Sequence, residues 1–305
     1  MNDFKGKTAF ITGGASGIGL GIAKAAAGVG MNIVLADLRR TALDEALPWF
    51  EETGAEAIGI ELNVTDREAY ARAAEEATVK FGNIHLLCNN AGIGCTRGKL
   101  WEVSHQDTDM AIDINLTGVL NGIQTIVPGM IKHGEGGHIV NTSSKNGILP
   151  PATLGLYNLT KGAVVCLTET LAAELPEGYS ASVFCPGPFQ TDLPNTSREI
   201  PALLKGEPAP PQIPRPSPPD DESNFYLEDT GITIGTAEEA GRLVMRGVRR
   251  GDLYIITHSE FYEGVKARYD AVLRAFPKNK PNEAFKRSFS FVIYNPVFEK
   301  QRDYL

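Results

Sequence analysis

The chain has 305 residues, enough for one large domain or two ordinary ones, and its net charge of −8 gives no general attraction for nucleic-acid phosphates. Its four cysteines are scattered and form no CxxC pair, so we expect neither a disulfide scaffold nor a metal site. Because the N-terminal residues lack a signal sequence and no apolar run approaches the roughly 18 residues of a membrane span, we expect a cytoplasmic protein without nucleic-acid or membrane partners.

Short runs typical of β-strands alternate with longer helical patterns through residue 185. The strands are TAFIT (8–12), NIVLA (32–36), AEAIGI (55–60), IHLLC (84–88), HIVNT (138–142) and SASVFC (180–185). Segments of about 15 to 45 residues separate them, which is long enough for crossover helices. The alternation predicts an α/β fold with a parallel sheet and helices on both faces.

A glycine-rich turn follows the first strand and precedes a helical run to about Gly28. Glycines let a backbone turn tightly and approach a pyrophosphate at the positive end of a helix. A glycine-rich string alone is common, but its position between a strand and a helix predicts dinucleotide binding. The predicted contacts are Gly13, Ala15, Ser16, Gly17, Ile18 and Gly19.

The second predicted strand is followed by Asp37, which lies eighteen residues beyond Gly19. An acid at this position accepts hydrogen bonds from adenosine ribose hydroxyls and repels the 2′-phosphate of NADP. Its alternative role is an ordinary helix cap or loop carboxylate. Arg39 and Arg40 follow and offer positive charge for a phosphate, whereas Ser16 is uncharged. The balance predicts NAD as the cofactor.

Tyr157 and Lys161 open a further helical run, predicted to continue to about Leu175. Their i, i+4 spacing places both side chains on one helix face, and a nearby ammonium lowers the pKa of a phenol. Such a pair also occurs by chance on helices. Here, however, Ser143 and Ser144 follow the strand HIVNT, at the carboxyl edge where α/β sheets bind ligands. A serine hydroxyl there can bind the reacting oxygen, or it can simply cap a turn.

Together these motifs make the chain resemble the short-chain dehydrogenase/reductase family. The resemblance covers residue 5 to about 192 and rests on TGGASGIG (12–19), NNAG (89–92), Asn115, Ser144, Tyr157, Lys161, Pro186-Gly187 and Thr191. It implies a Rossmann-type doubly wound sheet of about seven strands. It also implies that Asn115, Ser144, Tyr157 and Lys161 form a catalytic tetrad.

The same resemblance implies further cofactor contacts. They are Asn90, Ala91 and Gly92 near the adenosine ribose, Pro186, Gly187, Phe189 and Thr191 near the nicotinamide, and Asn63 and Val64 near the adenine. The family often has Asp-Val where this chain has Asn63-Val64. The stretch GDLYIITHSEFYEGVKARYDAVL is similar to bacterial members that oxidise bulky aryl alcohols from lignin breakdown.

A proline-rich segment interrupts the pattern after the sixth strand. Residues 201–219 contain eight prolines, which exclude a regular helix or an inner strand. Because a helical run capped by Thr236 and a strand DLYIIT (252–257) follow, we expect one catalytic domain, residues 1–258, with residues 193–235 inserted as a mobile lid over an apolar pocket. A disordered surface insert is the alternative. The predicted substrate contacts are Cys95, Asn146, Phe189 and Leu193.

Residues 259–305 are predicted to form a helix, about 259–275, and an aromatic tail. The tail carries Phe285, Phe289, Phe291, Tyr294, Phe298 and Tyr304, which require cover from the same chain or from a neighbouring subunit. Apolar positions on the helices around 104–132 and 154–175 favour a homodimer or homotetramer. Cys88, Cys166 and Cys185 are predicted to lie in the core.

These observations predict an oxidoreductase that interconverts a secondary alcohol and a ketone with NAD. In the oxidation direction Tyr157 removes the hydroxyl proton, Ser144 holds the oxygen, Lys161 orients the nicotinamide ribose, and Asn115 supports a water that leads protons to solvent. The small-molecule substrate is expected to be bulky and hydrophobic or aromatic. An NADP-using carbonyl reductase and a dinucleotide sensor without chemistry are the alternatives. A serine hydrolase is disfavoured because no G-x-S-x-G elbow is present.

Overall fold

The computed structural model describes residues 1, 3–213, 225–227 and 232–303. Its centre is a seven-stranded parallel sheet of order β3-β2-β1-β4-β5-β6-β9. The strands are β1 Thr8–Thr12, β2 Asn32–Asp37, β3 Ala57–Glu61, β4 Ile84–Asn89, β5 Gly137–Thr142, β6 Tyr179–Cys185 and β9 Tyr254–Ile256. A separate antiparallel pair comprises β7 Phe225–Leu227 and β8 Ile232–Ile234. The predicted Rossmann-type, doubly wound single domain is confirmed.

Helices cover both faces of this sheet. The longer ones are α1 Gly17–Ala27, α2 Arg40–Glu52, α3 Arg67–Phe81, α4 His105–Ile112, α5 Gly118–His133, α7 Gly155–Glu174, α8 Leu193–Leu204, α9 Ala237–Arg250 and α10 Tyr262–Arg274. The shorter ones are α6 Lys145–Ile148, α11 Glu283–Ser288 and α12 Ser290–Ile293. In the described part of the chain, no helix combines the length and apolar character that a membrane crossing needs.

The core has two layers because successive strand residues face opposite sides of the sheet. On β1, Ala9 and Ile11 pack with α1 and α9 residues, whereas Phe10 packs on the other side with residues of α3 and α5. All five β1 residues are buried, as expected of a central parallel strand. The sheet therefore holds β1, β4 and β5 rigidly, and their carboxyl ends carry the candidate site.

Two predicted strands begin two residues later in the structure than in the sequence pattern. Helix α9 begins at the cap that Thr236 predicts. The strand predicted at 55–60 occupies Ala57–Glu61, and the strand predicted at 252–257 shortens to Tyr254–Ile256. Helix α9 begins with a capping box in which Glu239 N donates to Thr236 Oγ1 at 3.2 Å and Thr236 N donates to Glu239 Oε2 at 2.7 Å.

The expectation that residues 201–219 form no regular helix is wrong for residues 201–204, which are the last turn of a helix. Residues Leu193–Leu204 form α8, with Pro194 in its first turn and Pro201 one turn before its end. A first-turn proline costs a helix no hydrogen bond. Pro201 removes the bond that an N–H there would donate to the Ser197 carbonyl oxygen, and the helix ends three residues later at Leu204. The predicted lid also includes residues 214–224 and 228–231, and that part lies outside the described residues.

The described part of the chain does not cover the aromatic tail, so cover by a neighbouring subunit stays a prediction, whereas Cys166 differs from expectation; Tyr304 lies outside the described residues. Phe285, Phe289 and Phe291 stack on one another but are 59%, 43% and 76% exposed, so they do not pack on the domain. The tail is held by Val297, which is buried against the sheet. Cys166 is exposed on α7 rather than buried, because the buried face of the helix runs through Val164, Val165 and Thr168 and leaves Cys166 on the solvent side.

Candidate active site

The glycine-rich turn joins β1 to α1 at the carboxyl edge of the sheet. Gly13 and Gly17 have φ values of +61° and +51°, which side chains rarely tolerate. A Cβ on Gly19 would lie 2.0 Å from the Gly13 carbonyl oxygen, so only glycine lets the helix pack this closely on the turn. Ser16 begins α1 without a side-chain cap, which leaves the first helical N–H groups available to a phosphate.

The side chains of Thr12, at the end of β1, and Asn90, just after the neighbouring β4, hold this turn in place. Thr12 Oγ1 accepts hydrogen bonds from Asn90 N at 3.0 Å and Ala91 N at 3.1 Å. Asn90 Nδ2 donates to the Thr12 carbonyl oxygen at 3.2 Å. Asn90 and Ala91 therefore hold the turn as well as line the cleft beside it, which the spacing of the motifs alone does not reveal.

Asp37 lies at the end of β2 with only 6% of its surface exposed. Its carboxylate accepts hydrogen bonds from Ala15 N at 3.3 Å and Arg39 N at 3.1 Å. The Arg39 guanidinium contacts three groups, Asp37 Oδ1 at 3.4 Å, Ser16 Oγ at 2.8 Å and Glu199 Oε2 at 3.5 Å. Arg39 is therefore already neutralised by two acids, one of which comes from α8.

Ser144, Tyr157 and Lys161 meet where β5 ends beside α7. Ser143 and Ser144 follow directly after β5, and Tyr157 and Lys161 lie in the first turns of α7. Ser144 Oγ accepts a hydrogen bond from Asn146 N at 3.2 Å and is close enough to Tyr157 to lower the pKa of its phenol. Lys161 is 4% exposed, and its Nζ donates to the Thr142 carbonyl oxygen at 3.0 Å. The hydroxyl, the phenol and the ammonium are thus held within one small region.

Burial controls the ionisation of the phenol and the ammonium. It raises the pKa of Tyr157, and the nearby Ser144 hydroxyl opposes this rise. Burial also lowers the pKa of Lys161 to about 8. The predicted net lowering of the Tyr157 pKa by Lys161 is wrong for this structure, because the Lys161 Nζ lies 5.7 Å from the centre of the Tyr157 ring and desolvation is the larger influence.

Asn115 lies in a π-helical turn, Asp113–Thr117, between α4 and α5. Its Oδ1 accepts a hydrogen bond from Ile93 N at 2.8 Å, and its Nδ2 donates to the Ile93 carbonyl oxygen at 2.9 Å. Nδ2 also donates to Thr160 Oγ1 at 3.4 Å. The side chain therefore anchors the loop after β4 to α7. Single π-turns often mark functional positions in helices.

A cleft extends from the glycine turn to Tyr157 and collects most of the predicted cofactor residues. Those lining it are Gly13, Ser16, Gly17, Ile18, Asp37, Asn63, Val64, Asn90, Ala91, Gly92, Tyr157, Lys161, Pro186, Gly187, Phe189 and Thr191. Ala15 and Gly19 act through the backbone of the turn instead. Asn63 Oδ1 accepts from Thr65 N at 3.1 Å, so its carbonyl holds a local turn. The cleft fits an extended dinucleotide.

A second cavity lies on the other side of Tyr157. Of the predicted substrate residues, Cys95, Asn146 and Leu193 line it together with Tyr157, whereas Phe189 lines only the cofactor cleft. Burial raises the pKa of the Cys95 thiol to about 11, so the thiol is neutral at physiological pH. Cys95 is suited to packing and not to nucleophilic attack.

Helix α8 forms the wall between the two cavities, a role that sequence reasoning missed. Thr196, Ile200 and Leu204 line the cofactor cleft at helical spacing, whereas Ser197 and Pro201 line the second cavity. Ser197 Oγ accepts a hydrogen bond from Gly94 N at 2.6 Å, which ties α8 to the loop after β4. An i, i+4, i+8 apolar spacing in the segment was the available signal, but the prolines obscured it.

His85, His133 and Glu135 form a cluster whose ligand atoms lie within 4.8 Å of one another. His85 Nδ1 accepts from Thr8 N at 3.3 Å, and its Nε2 contacts Glu135 Oε2 at 2.8 Å. His133 Nδ1 accepts from Glu135 N at 3.0 Å, and its Nε2 contacts the Ile84 carbonyl oxygen at 3.0 Å. Each imidazole lone pair is already used by a backbone N–H, so the cluster suits a hydrogen-bond network better than a metal.

Comparison with known proteins agrees with this geometry. The family model for short chain dehydrogenases matches residues 7–201. The chain is 37% identical over 275 residues to a C alpha-dehydrogenase from Sphingobium sp. (strain NBRC 103272 / SYK-6), which covers 90% of this chain and 87% of that relative. Both resemblances inferred from the motifs are confirmed.

Solved structures of similar proteins contain either dinucleotide. A short chain dehydrogenase/reductase from Burkholderia phymatum in complex with NAD has a TM-score of 0.78 and 32% identity, covering 92% of this chain and 99% of that chain. A short chain dehydrogenase from Burkholderia cenocepacia J2315 in complex with NADP has a TM-score of 0.66 and 26% identity, covering 84% of this chain and 96% of that chain.

Proposed function

The chain belongs to the short-chain dehydrogenase/reductase family and is an oxidoreductase that acts on CH–OH groups, and on that basis we propose that it interconverts a bulky, hydrophobic or aromatic secondary alcohol and its ketone with NAD. The observation that carries the proposal is the position of Tyr157, which lines both the cofactor cleft and the second cavity. A proton-transferring phenol must reach the substrate oxygen while the substrate carbon faces the nicotinamide. Screening a panel of secondary alcohols for NADH formation tests it.

The proposed mechanism assigns one task to each polar side chain. Bound NAD supplies the hydride acceptor for the carbinol carbon. Ser144 donates a hydrogen bond to the substrate oxygen. Because burial keeps the Tyr157 phenol protonated at rest, Tyr157 passes its own proton on toward solvent as it takes the hydroxyl proton, while the C–H bond breaks and the C=O bond forms. Lys161, whose pKa of about 8 keeps it largely charged near neutral pH, stabilises the phenolate and binds the nicotinamide ribose. Asn115 supports a water that carries the proton to solvent.

Selection of NAD over NADP follows from the charges around Asp37. A 2′-phosphate at the ribose would meet Asp37 and Glu199, while the only adjacent guanidinium of the described residues lining the cleft, Arg39, already pairs with both. We predict that Asp37→Ala raises kcat/KM for NADP by roughly tenfold, because repulsion worth about 1.4 kcal/mol is removed. Steady-state kinetics with both cofactors measure it.

Glu76→Ala is the matched control for this change. Glu76 is an exposed acid on α3 that lines neither cavity, and its removal should leave the ratio of NAD to NADP efficiency unchanged. Equal use of the two cofactors by the unmodified enzyme would contradict the charge argument and favour the carbonyl-reductase alternative. A protein that binds NAD but turns over no alcohol would instead act as a dinucleotide sensor.

We also propose that the chain assembles into a homodimer or homotetramer through its aromatic tail. Stacked Phe285, Phe289 and Phe291 expose much of their surface, and an apolar patch of this kind is unusual on a monomer. Replacing all three with serine should convert the oligomer to a smaller species in light scattering. Val79→Ser, which alters an apolar side chain on α3 that is 82% exposed, should have no effect. A wild-type monomer at micromolar concentration would refute the assembly.

A further inference from the structure

The second cavity has an apolar interior that begins at Tyr157. Its volume is about 590 Å³, within the range of small-molecule pockets. Ile93, Cys95, Met110, Leu154 and Leu193 supply apolar surface, and Asn146 is the main polar group beside Tyr157. The interior therefore suits the hydrophobic body of the substrate class proposed above.

The lining of the same cavity carries an excess of positive charge. Arg97, Arg198 and Lys205 all line it, and all three are exposed to solvent. Asp107 is the only acid among the described lining residues. Three cations against one acid is an unusual balance in a chain whose net charge is −8.

Two of these cations have no ion-pair partner among the residues that the structure describes. Within residues 1, 3–213, 225–227 and 232–303, neither the Arg97 guanidinium nor the Lys205 ammonium forms a salt bridge. Arg198 uses one nitrogen to donate to the Pro211 carbonyl oxygen at 2.9 Å. Lys99, two residues from Arg97, pairs with Glu102 at 3.4 Å. Among the described residues, Arg97 and Lys205 therefore have no carboxylate partner, whereas the neighbouring Lys99 has one.

The backbone places these cations on two different elements. Arg198 and Lys205 are seven residues apart on and directly after α8, so they lie on one face two turns apart, with Pro201 between them at the cavity wall. Arg97 belongs to the loop after β4, which the hydrogen bond from Gly94 N to Ser197 Oγ attaches to α8. An anionic group entering the cavity would be approached by all three side chains.

We propose that the substrate is an amphiphilic secondary alcohol whose apolar body fills this cavity and whose carboxylate is bound by Arg97, Arg198 and Lys205. The proposal rests on the proposed dehydrogenase function and names the chemical class of its substrate. Guanidinium groups bind carboxylates through paired hydrogen bonds, and a cavity lined by an excess of positive charge attracts anions from solution. The carbinol would then lie at Tyr157, at the inner end of the cavity.

Matched substrates test the proposal directly. The probes are 1-phenylethanols whose para position carries a carboxylate directly, through a propionate arm or through a pentanoate arm, each paired with its primary amide and its sulfonate. With NAD, kcat/KM for the best carboxylate should exceed that for its amide at least tenfold through a lower KM, and the advantage should shrink as salt is added. If kcat/KM for the sulfonate equals that for the carboxylate, the cations recognise negative charge. If it is lower, they recognise the planar shape of the carboxylate as well.

The variant Arg97→Gln/Arg198→Gln/Lys205→Gln should lose this preference, so that the ratio of kcat/KM for the carboxylate to that for its amide falls to about one. Lys99→Gln is the control, since Lys99 is a neighbouring exposed cation that does not line the cavity. Turnover of the amide without any carboxylate preference, or a preference that survives in the triple variant, overturns this inference alone. If the enzyme oxidises neither the probes nor any other secondary alcohol, the dehydrogenase proposal itself is overturned.

Discussion

Replacing Tyr157 with phenylalanine is expected to lower kcat roughly 10²–10⁴-fold or more while NAD binding is retained. The change removes one oxygen atom and leaves the ring that packs between the two cavities. Without that oxygen the hydroxyl proton of the substrate has no acceptor within the site, since Lys161 Nζ donates to the Thr142 carbonyl oxygen. Initial rates of NADH formation and calorimetric titration with NAD measure the two effects separately.

Tyr269→Phe provides the control for the loss of a phenol. Tyr269 is half exposed on α10 and lines neither cavity, so its substitution should leave both kcat and NAD affinity unchanged. Near-normal turnover by Tyr157→Phe would remove Tyr157 from the mechanism. Loss of NAD affinity together with turnover would show that the ring positions the cofactor instead.

The second large effect is expected at the crossing of α1 and α9. A Cβ on Gly241 would lie 2.0 Å from the Gly21 carbonyl oxygen, and a Cβ on Gly21 would lie 1.9 Å from the Ala237 carbonyl oxygen. Both obstacles are backbone atoms, so neither can rotate away. We predict that Gly241→Ala lowers the free energy of unfolding by about 3 kcal/mol or more, because the two helices must separate. Denaturant unfolding measures it.

Gly129→Ala is the matched substitution for this prediction. Gly129 lies within α5, where an added Cβ meets nothing within 4 Å, and alanine is the better helix former. This variant should gain up to about 1 kcal/mol of stability. If both alanine variants were equally stable, the close packing of α1 on α9 would not be a stabilising contact.

Much of the fold was predictable because the strands are short, buried and nearly continuous in apolar residues. β1 begins and ends where the sequence pattern places it, and β2, β4, β5 and β6 differ by at most one residue at either end. The helices that follow the glycine turn and Thr236 were predictable from their N-terminal residues. Local propensity and tertiary packing favour the same conformation in these segments, so the local sequence pattern predicts the folded conformation.

The features that could not be predicted depend on neighbours distant in the sequence. Helix α8 forms despite its prolines because it packs as a wall, with Glu199 paired to Arg39 and Ser197 bound to Gly94 N. Cys166 is exposed because of the rotation of α7 about its axis, which its mixed apolar pattern does not specify. The Tyr157 pKa rises because the surrounding fold excludes water, and sequence spacing reports only the proximity of Lys161.

The sequence by itself determined the parallel α/β architecture, the dinucleotide turn and the identity of the Ser144, Tyr157 and Lys161 group, since each is encoded in a contiguous run or a fixed spacing. Only the tertiary structure decided that Tyr157 lines two cavities and which other residues line each of them. The physical reason is distance along the chain. Arg97 and Lys205 are 108 residues apart, and only the folded arrangement of α8 beside the loop after β4 makes them line the same cavity.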